Sequence, residues 1–310
     1  MIRIEDEQNN VFAGNGINLK VTDMKIGFIG AGCVGTSFGI YLRRRGFDLQ
    51  GYYSRTTESA EKAARLSGSL YYPDEQTLLD NIDILFITTN DAQIQVVCDS
   101  LANKGYLRQG QLIVHMSGAL SSEILQSAKK KGCCTYSLHP LQSFADKAKA
   151  FANLPETVFS LEGDMERLNI LEDMLDRMGN PFFTIEAKQK VLYHAATCIC
   201  SNFLTALIEE GLQFLAAVDI PREEGLNAVL PLIRGTIDNI ALSGTENALT
   251  GPIARGDVDT VRQHLHGIKQ ALPDKLGFYK LMADSTLTLA RQHKLKDPLK
   301  AEALENLLNE

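Results

Sequence analysis

The chain has 310 residues, of which 45% are hydrophobic and 22% are charged, with a net charge of −7. This length exceeds the usual size of a single domain, so it predicts two domains with sizeable cores in a globular protein. The negative charge, together with the lack of a basic face interleaved with aromatic residues, argues against nucleic acid as a partner.

Residues 1–23 are acidic and rich in Asn and Gly, and they contain no apolar stretch of the kind that a secretory signal needs. We expect a flexible extension there. No apolar run approaches the length of a membrane span, and the 6 cysteines show neither a C-x-x-C pair nor the spacing of a metal site. These features predict a cytoplasmic protein with reduced, mostly buried thiols, no metal and no membrane contact.

Residues 25–55 contain, in order, an apolar strand, a glycine loop, a helix over 34–45 and a second strand over 48–53. The glycines stand directly behind the first strand at the G-x-G-x-x-G spacing of a dinucleotide-binding unit. The first glycine permits the tight turn, the second leaves room for a pyrophosphate, and the third lets the helix pack closely on the strand. A plain tight turn is the alternative. The predicted cofactor contacts of this loop are Gly30, Ala31, Gly32, Cys33, Val34 and Gly35.

The second strand is followed by Ser54, Arg55 and two threonines, and no acid occurs before Glu58. An NAD site usually has Asp or Glu at this place, where it accepts hydrogen bonds from the ribose hydroxyls. A guanidinium flanked by hydroxyls suits a 2′-phosphate instead, so we predict NADP(H) as the cofactor. The alternative is a solvated arginine in a Ser/Thr-rich helix cap.

Further strands over 82–88, 111–114 and 133–138 alternate with helices, which predicts an α/β fold with a doubly wound parallel Rossmann sheet. Ligands of such sheets lie outside the carboxyl ends of the strands, so the polar residues just past each strand are predicted to surround the cofactor. For any single one of them, capping of a loop is the alternative. These residues are Ser54, Arg55, Thr88, Thr89, Asn90, His115, Ser117 and, toward the substrate, His139.

Two more strands, over 151–160 and 181–185, and a helix over 165–178 complete the predicted dinucleotide-binding domain, residues 24–186. The remaining residues, 187–310, predict an all-helical domain for substrate binding and dimerisation. Its helices are predicted over 187–218, 221–241 with a kink at Pro231, 257–271, 275–292 and 298–308. The first of these helices is apolar on nearly every face, which implies burial on all sides, most easily in a homodimer.

One polar stripe interrupts this apolar helix at spacings that place it on a single face: Lys190, His194, Thr197, Ser201 and Thr205. A reductase needs a donor for the atom that becomes negative as hydride arrives. Lys190 is therefore predicted as the catalytic donor, and His194 as the residue that orients it or shares its proton. The alternatives are a solvated lysine and a hydrogen-bonded core histidine.

A second polar cluster, residues 243–257, is predicted to lie between two helices. It contains Thr250, Gly251 and Arg255, and the guanidinium suits a substrate carboxylate. A turn that ends one helix, with Asp257 capping the next, is the structural interpretation of the same residues.

Five stretches together resemble a bacterial family that joins a Rossmann-like NADP-binding domain to a helical domain long described as uncharacterised. The similarity runs from Met24 to about Ala290, and the last stretch is quite specific. The stretches are Gly27-Phe-Ile-Gly-Ala-Gly-Cys-Val-Gly-Thr, His115-Met-Ser-Gly, Ser137-Leu-His-Pro-Leu-Gln-Ser-Phe, Tyr193-His-Ala-Ala with Ser201-Asn-Phe, and Leu249-Thr-Gly-Pro-Ile-Ala-Arg-Gly-Asp.

The wider superfamily that the sequence resembles includes ketopantoate reductase, β-hydroxyacid dehydrogenases and pyrroline-carboxylate reductase, which are commonly dimeric. In the first two groups a Lys-x-x-x-Asn helix carries the catalytic lysine. Lys190 matches that lysine, whereas His194 stands in place of the asparagine, which is a departure that affects substrate alignment.

The resemblance implies an NADPH-dependent reductase of a small carboxylated carbonyl compound, specifically 2-dehydropantoate in pantothenate biosynthesis. An imine reductase of the pyrroline-carboxylate reductase kind and a non-catalytic NADP(H)-binding sensor are the alternatives. Contacts with the substrate are predicted for His115, His139, His194, Asn202, Thr250, Gly251 and Arg255.

Overall fold

The computed structural model describes residues 21–144 and 151–310. By its internal contacts the chain divides into two compact units, Met1–Ser201 and Asn202–Glu310. This division falls later than the predicted one at 186/187, because hydrogen bonds fasten Lys190 and Tyr193, at the start of the long helix, to strands and loops of the first unit. Residues 1–20 of the predicted extension lie outside the described residues.

The first unit is built on a single sheet. Its strands are β1 (Lys25–Ile29), β2 (Asp48–Tyr53), β3 (Leu70–Tyr71), β4 (Ile84–Ile87), β5 (Leu112–His115), β6 (Cys134–Pro140), β7 (Phe159–Gly163) and β8 (Phe182–Thr184). The eight strands take the order β3-β2-β1-β4-β5-β6-β7-β8. All neighbours pair in parallel except β6 and β7, which are antiparallel. The predicted doubly wound sheet is confirmed, with one antiparallel pairing that the sequence pattern did not indicate.

Helices cover both faces of this sheet, which is why its central strands are continuous apolar runs. The helices are α1 (Cys33–Arg44), α2 (Thr57–Ser67), α3 (Glu75–Asp80), α4 (Asp91–Lys104), α5 (Gln126–Lys129), α6 (Leu168–Met178) and α7 (Lys190–Cys198). Successive side chains of a strand point to opposite faces. Phe86 of β4 accordingly packs in one core with Phe38 of α1, whereas Leu85 packs in a second core with Leu101 of α4.

Three elements of the first unit differ from the prediction. The strand predicted over 151–160 begins only at Phe159, because the residues before it form a 3₁₀ turn, Leu154–Glu156, that contains a proline. The helix predicted between the strands over 111–114 and 133–138 is only four residues long, α5, and follows a 3₁₀ turn, Ser122–Leu125. The two-residue strand β3 has both residues exposed, so it carries no apolar alternation that could have revealed it.

The described elements of the second unit are helical, as predicted. They are α8 (Leu204–Ala216), α9 (Arg222–Ala248), α10 (Pro252–Arg255), α11 (Val258–Ala271), α12 (Leu276–His293) and α13 (Pro298–Asn309). Val261, Leu287 and Leu304 lie in its core. The kink expected at Pro231 is not where the dihedral angles leave the helical range. That position is Gly244 (φ 76°, ψ 163°), since glycine adopts positive φ without steric cost.

The helical stretch Ala187–Ala216 contains a π-helix, Ile199–Phe203, between α7 and α8. This stretch is long and apolar enough to cross a membrane, although length and composition alone are weak evidence for a membrane span. None of its most apolar segment is buried. The prediction that no apolar run approaches a membrane span is therefore wrong. Burial on all sides is not found within a single chain either, because Val191 and Leu192 are 75% and 78% exposed.

All 6 cysteines lie within the described residues and are free thiols. Cys98, Cys133 and Cys134 are buried, whereas Cys33 and Cys198 are partly exposed and Cys200 is exposed. The expectation of mostly buried thiols therefore holds for only half of them. Within residues 21–144 and 151–310, no three His, Cys, Asp or Glu side chains are grouped so that they could hold a metal ion.

Candidate functional site

The glycine loop joins β1 to α1, and its three glycines meet three different geometric demands. Gly30 has φ +104°, a backbone conformation that side chains disfavour. A Cβ atom on Gly35 would lie 2.2 Å from Thr88 Oγ1, so α1 packs directly against the loop after β4. A Cβ atom on Gly32 would meet nothing closer than 4.0 Å. The packing of the chain does not require glycine at position 32, and the free space there is what an approaching pyrophosphate needs.

The amino end of α1 is open for a ligand. Gly32 is its N-cap residue, and no side chain caps the helix. The first N–H groups of a helix have no partner within it, and the helix dipole adds positive charge, so this end favours an anion. A cavity of about 470 Å³ adjoins it, with Gly30, Ala31 and Gly32 in its wall. Cys33 and Val34 begin α1 without lining the cavity, and Val34 packs partly against the core.

The predicted strand-end residues line the same cavity: Ser54, Arg55, Thr88, Thr89 and Asn90. Thr56 and Ser59 join Ser54 and Arg55 there, so the end beyond β2 offers a guanidinium and hydroxyls. The buried hydroxyl of Thr89 has no hydrogen-bond partner among the described residues. An unpaired buried hydroxyl and an uncapped helix end in one cavity fit a polar, phosphate-bearing ligand.

Lys190, the first residue of α7, is only 1% exposed. Its Nζ atom donates hydrogen bonds to Ser137 Oγ at 2.8 Å and to the backbone oxygen of Ser117 at 3.1 Å. Ser137 belongs to β6, and Ser117 follows β5, the parallel neighbour of β6. The alternative of a solvated lysine is therefore excluded, because the ammonium group lies buried between the loop after β5 and the middle of β6.

Burial lowers the pKa of Lys190 to about 8, while the carboxylates of Glu162 and Asp91 raise it. Glu162 is itself buried and accepts hydrogen bonds from the backbone nitrogen and the hydroxyl of Ser122, both at 2.7 Å. Asp91 accepts one from Ser117 Oγ at 2.8 Å. Neutral pH is below this pKa, so Lys190 is mostly in its ammonium form.

His115 lies behind this network. Its Nδ1 accepts a hydrogen bond from the Ser117 backbone nitrogen at 3.2 Å, and its Nε2 lies 3.1 Å from the backbone oxygen of Ser121. A carbonyl oxygen only accepts, so Nε2 carries the proton. Burial lowers the pKa of His115 to about 4, so the ring is neutral. With its ring fully buried and both nitrogens engaged, His115 shapes the loop after β5 and does not make the cofactor or substrate contact that we predicted.

His139 of β6 and Tyr193 of α7 form a second polar pair. His139 Nδ1 lies 2.7 Å from the Tyr193 hydroxyl, and the rings meet edge to face. Burial, aided by the charge of Lys190, lowers the pKa of His139 to about 3, and burial raises the pKa of Tyr193. Both groups are neutral at pH 7, so one proton can pass along their hydrogen bond. The Lys190 Nζ atom lies 5.5 Å from the centre of the Tyr193 ring.

Gly118 lies close to two of the three predicted histidines, His139 and His194. A Cβ atom there would lie 2.7 Å from His139 Nε2 and 2.8 Å from His194 Cδ2. The structure therefore brings together four of the predicted site residues, Ser117, His139, Lys190 and His194. No hydrogen bond within the described residues joins His194 to Lys190, so Ser117 and Ser137 orient the lysine instead.

The predicted polar stripe does not continue beyond α7, because the π-helix Ile199–Phe203 breaks the regular α spacing on which it rested. The other predicted substrate contacts belong to the second unit. There Asn202 and Arg255 are exposed, and Thr250 lines a cavity of about 310 Å³ within that unit. Gly251 has φ +97° at the start of α10, and Asp257 caps α11 as expected.

Several residues of the network were not predicted to take part in the chemistry, among them Ser137, Glu162 and Tyr193. Ser137 and Tyr193 both lie in the stretches that carry the family resemblance, and each stands close to a histidine that was predicted. Glu162 had no comparable signal, because its role depends on the antiparallel pairing of β7 with β6.

Comparison with known protein families accounts for most of the chain. Residues 7–140 match the Rossmann-like domain, and residues 157–286 match a domain of unknown function, DUF2520. The chain joins a Rossmann-like domain to a DUF2520 domain. The Rossmann-like match ends in β6, and the DUF2520 match begins just before β7, so both contribute to the network around Lys190. This combination confirms the predicted resemblance to a Rossmann domain followed by an uncharacterised helical one. No curated protein matches the sequence.

Solved structures share the fold of this Rossmann-like and DUF2520 chain. Protein TM1727 from Thermotoga maritima is 27% identical with a TM-score of 0.68, covering 86% of this chain and 98% of its own. Protein BF3122 from Bacteroides fragilis, named as a candidate NADP oxidoreductase, is 23% identical with a TM-score of 0.66, covering 86% and 99%. Pyrroline carboxylate reductase from Plasmodium falciparum, solved with NADP bound, is 14% identical with a TM-score of 0.57, covering 91% and 99%.

Proposed function

We propose that the protein is an NADP(H)-dependent oxidoreductase. The observation that carries this proposal is the uncapped amino end of α1 at Gly32, which lines the same cavity as Ser54 and Arg55. Two structural neighbours support the same cofactor, since one is named as a candidate NADP oxidoreductase and another was solved with NADP bound.

The residues present fit this cofactor. The first N–H groups of α1 would hold the pyrophosphate, and the unpaired hydroxyl of Thr89 would form a hydrogen bond with the bound cofactor. Arg55, with the hydroxyls of Ser54, Thr56 and Ser59, would hold the 2′-phosphate. When bound, the reduced nicotinamide supplies the hydride for the reaction.

The residues around Lys190 supply the proton and the electrostatic field. The Tyr193 hydroxyl donates a proton to the oxygen that becomes negative in a carbonyl substrate. His139, as its Nδ1–H tautomer, returns a proton to the Tyr193 oxygen through the 2.7 Å contact while its Nε2 takes up a proton from water, so the imidazole stays neutral. The buried ammonium of Lys190 stabilises the developing negative charge from behind the loop. Burial keeps His139 neutral, and the positive charge of Lys190 lowers the pKa of that imidazole further.

We propose a small carboxylated carbonyl compound as the substrate, specifically 2-dehydropantoate, which is reduced to pantoate. Two features support this choice. The sequence resembles a superfamily that includes ketopantoate reductase, with Lys190 at the catalytic lysine, and the Tyr193–His139 pair supplies the proton that an alcohol product needs.

Reduction of a cyclic imine is a second candidate. A structural neighbour is named as a pyrroline carboxylate reductase. The Lys190 ammonium is also bonded to two protein acceptors, an arrangement that suits a fixed charge better than a direct donor. An imine nitrogen can be protonated before hydride arrives, so this reaction depends less on Tyr193.

A screen of NADPH oxidation separates these candidates. The substrates are 2-keto acids, including 2-dehydropantoate, and cyclic imines, including pyrroline-5-carboxylate. We expect turnover with a keto acid and a large loss of it in Tyr193→Phe. Turnover restricted to imines and unaffected by Tyr193→Phe would replace the first candidate with the second. Tight NADPH binding without turnover of any compound would indicate the non-catalytic sensor and contradict both.

We also propose that the protein acts as a cytoplasmic homodimer. The apolar side of α7 that carries Val191 and Leu192 is exposed in the single chain. Exposed apolar surface of this kind marks an interface, and a second copy of the same helix presents a matching surface. This association would cover the apolar stretch without a membrane.

A further inference from the structure

One acid lines the cofactor cavity, and it has no role in the binding of either the pyrophosphate or the 2′-phosphate proposed above. Glu75, the first residue of α3, lines the cavity together with Tyr53 and Val97. Tyr53 is the last residue of β2, and Val97 lies in the middle of α4. Both are partly buried and pack against the second core of the Rossmann-like domain. An aromatic and a branched apolar side chain beside one carboxylate suit a flat base with a hydrogen-bond donor on its edge.

The carboxylate of Glu75 is held in place from one side. Its Oε2 atom lies 2.7 Å from Nζ of Lys104, the last residue of α4. The Glu75 side chain is 16% exposed, whereas that of Lys104 is 47% exposed. The other oxygen, Oε1, has no hydrogen-bond partner among the described residues. Lys104 therefore orients and neutralises the acid from the solvent side, and an acceptor oxygen remains available.

This arrangement suits the adenine base of the cofactor, because the ribose hydroxyls, which a carboxylate can also bind, belong to the part of the cofactor that we place beside the residues after β2. The 6-amino group is the only N–H donor on the adenosine half of the cofactor, and a carboxylate oxygen accepts from it. A phosphate would be repelled by the same carboxylate. The hydroxyl and guanidinium groups that suit the phosphate follow β2, whereas Glu75 begins α3.

We propose that Glu75 recognises the 6-amino group of adenine, with Tyr53 and Val97 beside the base. This assignment rests on the proposed cofactor and deepens it, because it makes Glu75 a specificity residue for the base. A 6-oxo base places an acceptor oxygen where adenine has its amine, and two acceptors facing each other repel.

The test compares NADPH with its hypoxanthine analogue, in which oxygen replaces the 6-amino group. Both contain the same reduced nicotinamide, so the affinity of the full-length protein for each is measured by titrating its fluorescence, without any substrate. We expect the wild-type protein to bind NADPH on the order of tenfold more tightly than the analogue. In Glu75→Gln the ratio should approach one, because an amide can donate to the 6-oxo group as well as accept from the amine.

The control is Glu61→Gln, which removes the same charge from an exposed position in α2 that does not line the cavity. It should keep the wild-type ratio. Loss of charge near the 2′-phosphate changes the affinity for both dinucleotides alike, so the ratio isolates contact with the base. Melting curves of the ligand-free proteins, expected to be superimposable, show that each variant is folded.

The outcomes separate this inference from the proposed function. If the wild-type protein binds neither dinucleotide, the NADP(H) assignment fails and the role of Glu75 fails with it. If it binds both equally, or if Glu75→Gln keeps the wild-type preference, the cofactor assignment stands and the role of Glu75 in reading the base is overturned.

Discussion

Lys190 and Ser137 are joined by a 2.8 Å hydrogen bond between the first residue of α7 and the middle of β6. Since the ammonium also binds the backbone oxygen of Ser117, one buried charge fixes the loop after β5, the strand β6 and the helix that carries Tyr193. An ammonium group out of water costs free energy unless its hydrogen bonds are satisfied. This buried, hydrogen-bonded ammonium lies at the edge of the sheet where folds of this kind bind their ligands. We therefore place the chemistry there.

The protonation of Lys190 predicts how turnover depends on pH. With a pKa of about 8, the ammonium is present below that pH and is lost as the pH rises through it. Turnover should therefore be level near neutrality and fall above about pH 8. His139, with a pKa of about 3, adds no limb at neutral pH. In Lys190→Met turnover should drop by about tenfold or more, and the alkaline limb should disappear.

The matched control for that pH profile is Lys188→Met, which removes an exposed lysine from the 3₁₀ turn Ala187–Gln189, directly before α7. It should leave both rate and profile as in the wild-type protein. A limb that persists unchanged in Lys190→Met would show that another group titrates.

The hydroxyl of Tyr193 is predicted to matter for turnover and not for cofactor binding. Tyr193→Phe keeps the ring and removes only the group that lies 2.7 Å from His139. We expect kcat for a keto acid to fall by about a hundredfold, with the Kd for NADPH changed by less than about twofold. The measurements are steady-state kinetics and fluorescence titration.

The chain provides an unusually close control for this variant. Tyr279 and His264, in the second unit, form the same kind of pair, with the hydroxyl 2.8 Å from Nδ1 and the rings edge to face. Tyr279→Phe removes an equivalent hydrogen bond elsewhere and should keep kcat. Equal losses in the two variants would point to a general effect on stability.

The sequence was sufficient to predict the glycine loop of the site, because the residues of that loop are close together in the chain. Gly30, Gly32 and Gly35 act through backbone geometry within one strand–loop–helix unit, so their spacing alone indicates what they do. Strand order then follows from the alternation of strands and helices, and it brings the loops after β4 and β5 to the same edge.

The network around Lys190 depends on contacts between residues that are far apart in the chain, and the spacing of residues in the sequence does not reveal such contacts. Lys190 is buried because Ser137, 53 positions earlier, accepts its hydrogen bond, and that partner became visible only once β6 was placed. His115 looked like a ligand contact because it follows a strand, but its ring turns inward to Ser121. The interruption by the π-helix likewise has no signal in apolar periodicity, which is why the polar stripe was extended too far.

Alanine at Gly32 should mainly weaken cofactor binding, whereas alanine at Gly35 should mainly destabilise the fold. Gly32→Ala places a methyl group in open space at φ −73°, so the free energy of unfolding should change by less than about 1 kcal/mol. The same methyl group blocks the pyrophosphate, so affinity for NADPH should fall by about tenfold or more.

Gly35→Ala instead forces a Cβ atom to within 2.2 Å of Thr88 Oγ1 and 2.7 Å of the Gly30 carbonyl oxygen. It should destabilise the fold by about 1–3 kcal/mol. Urea unfolding and fluorescence titration of both variants test the pair. Unchanged NADPH affinity in a folded Gly32→Ala protein would contradict the position assigned to the pyrophosphate.

Arg55 is predicted to distinguish the two nicotinamide dinucleotides. It lines the cavity, and the residues that directly follow β2, Ser54 to Thr57, include no acid that could accept hydrogen bonds from the ribose hydroxyls. Arg55→Ala should weaken NADPH binding by about ten- to a hundredfold, the value of a charge-assisted hydrogen bond, and should barely change NADH binding. Arg65→Ala, in the last turn of α2, is the control and should affect neither. Equal losses for NADPH and NADH in Arg55→Ala would refute a 2′-phosphate contact.

The exposed apolar side of α7 predicts the oligomeric state. Wild-type protein should elute as a dimer, at twice the 34.1 kDa of the chain, when its mass is measured by light scattering during size-exclusion chromatography. Leu192 is 78% exposed in the single chain, so Leu192→Glu does not disturb the fold, but a dimer through α7 would bury an unpaired carboxylate. That variant should elute as a monomer.

Leu299→Glu is the control for the oligomeric state, because it places the same charge at a 75% exposed leucine of α13, on a different helix. It should remain dimeric. A wild-type protein that is monomeric at micromolar concentration would remove the proposed interface. One that stays in solution only with detergent would instead favour contact of the Ala187–Ala216 stretch with a lipid bilayer, since that stretch is long and apolar enough to cross one.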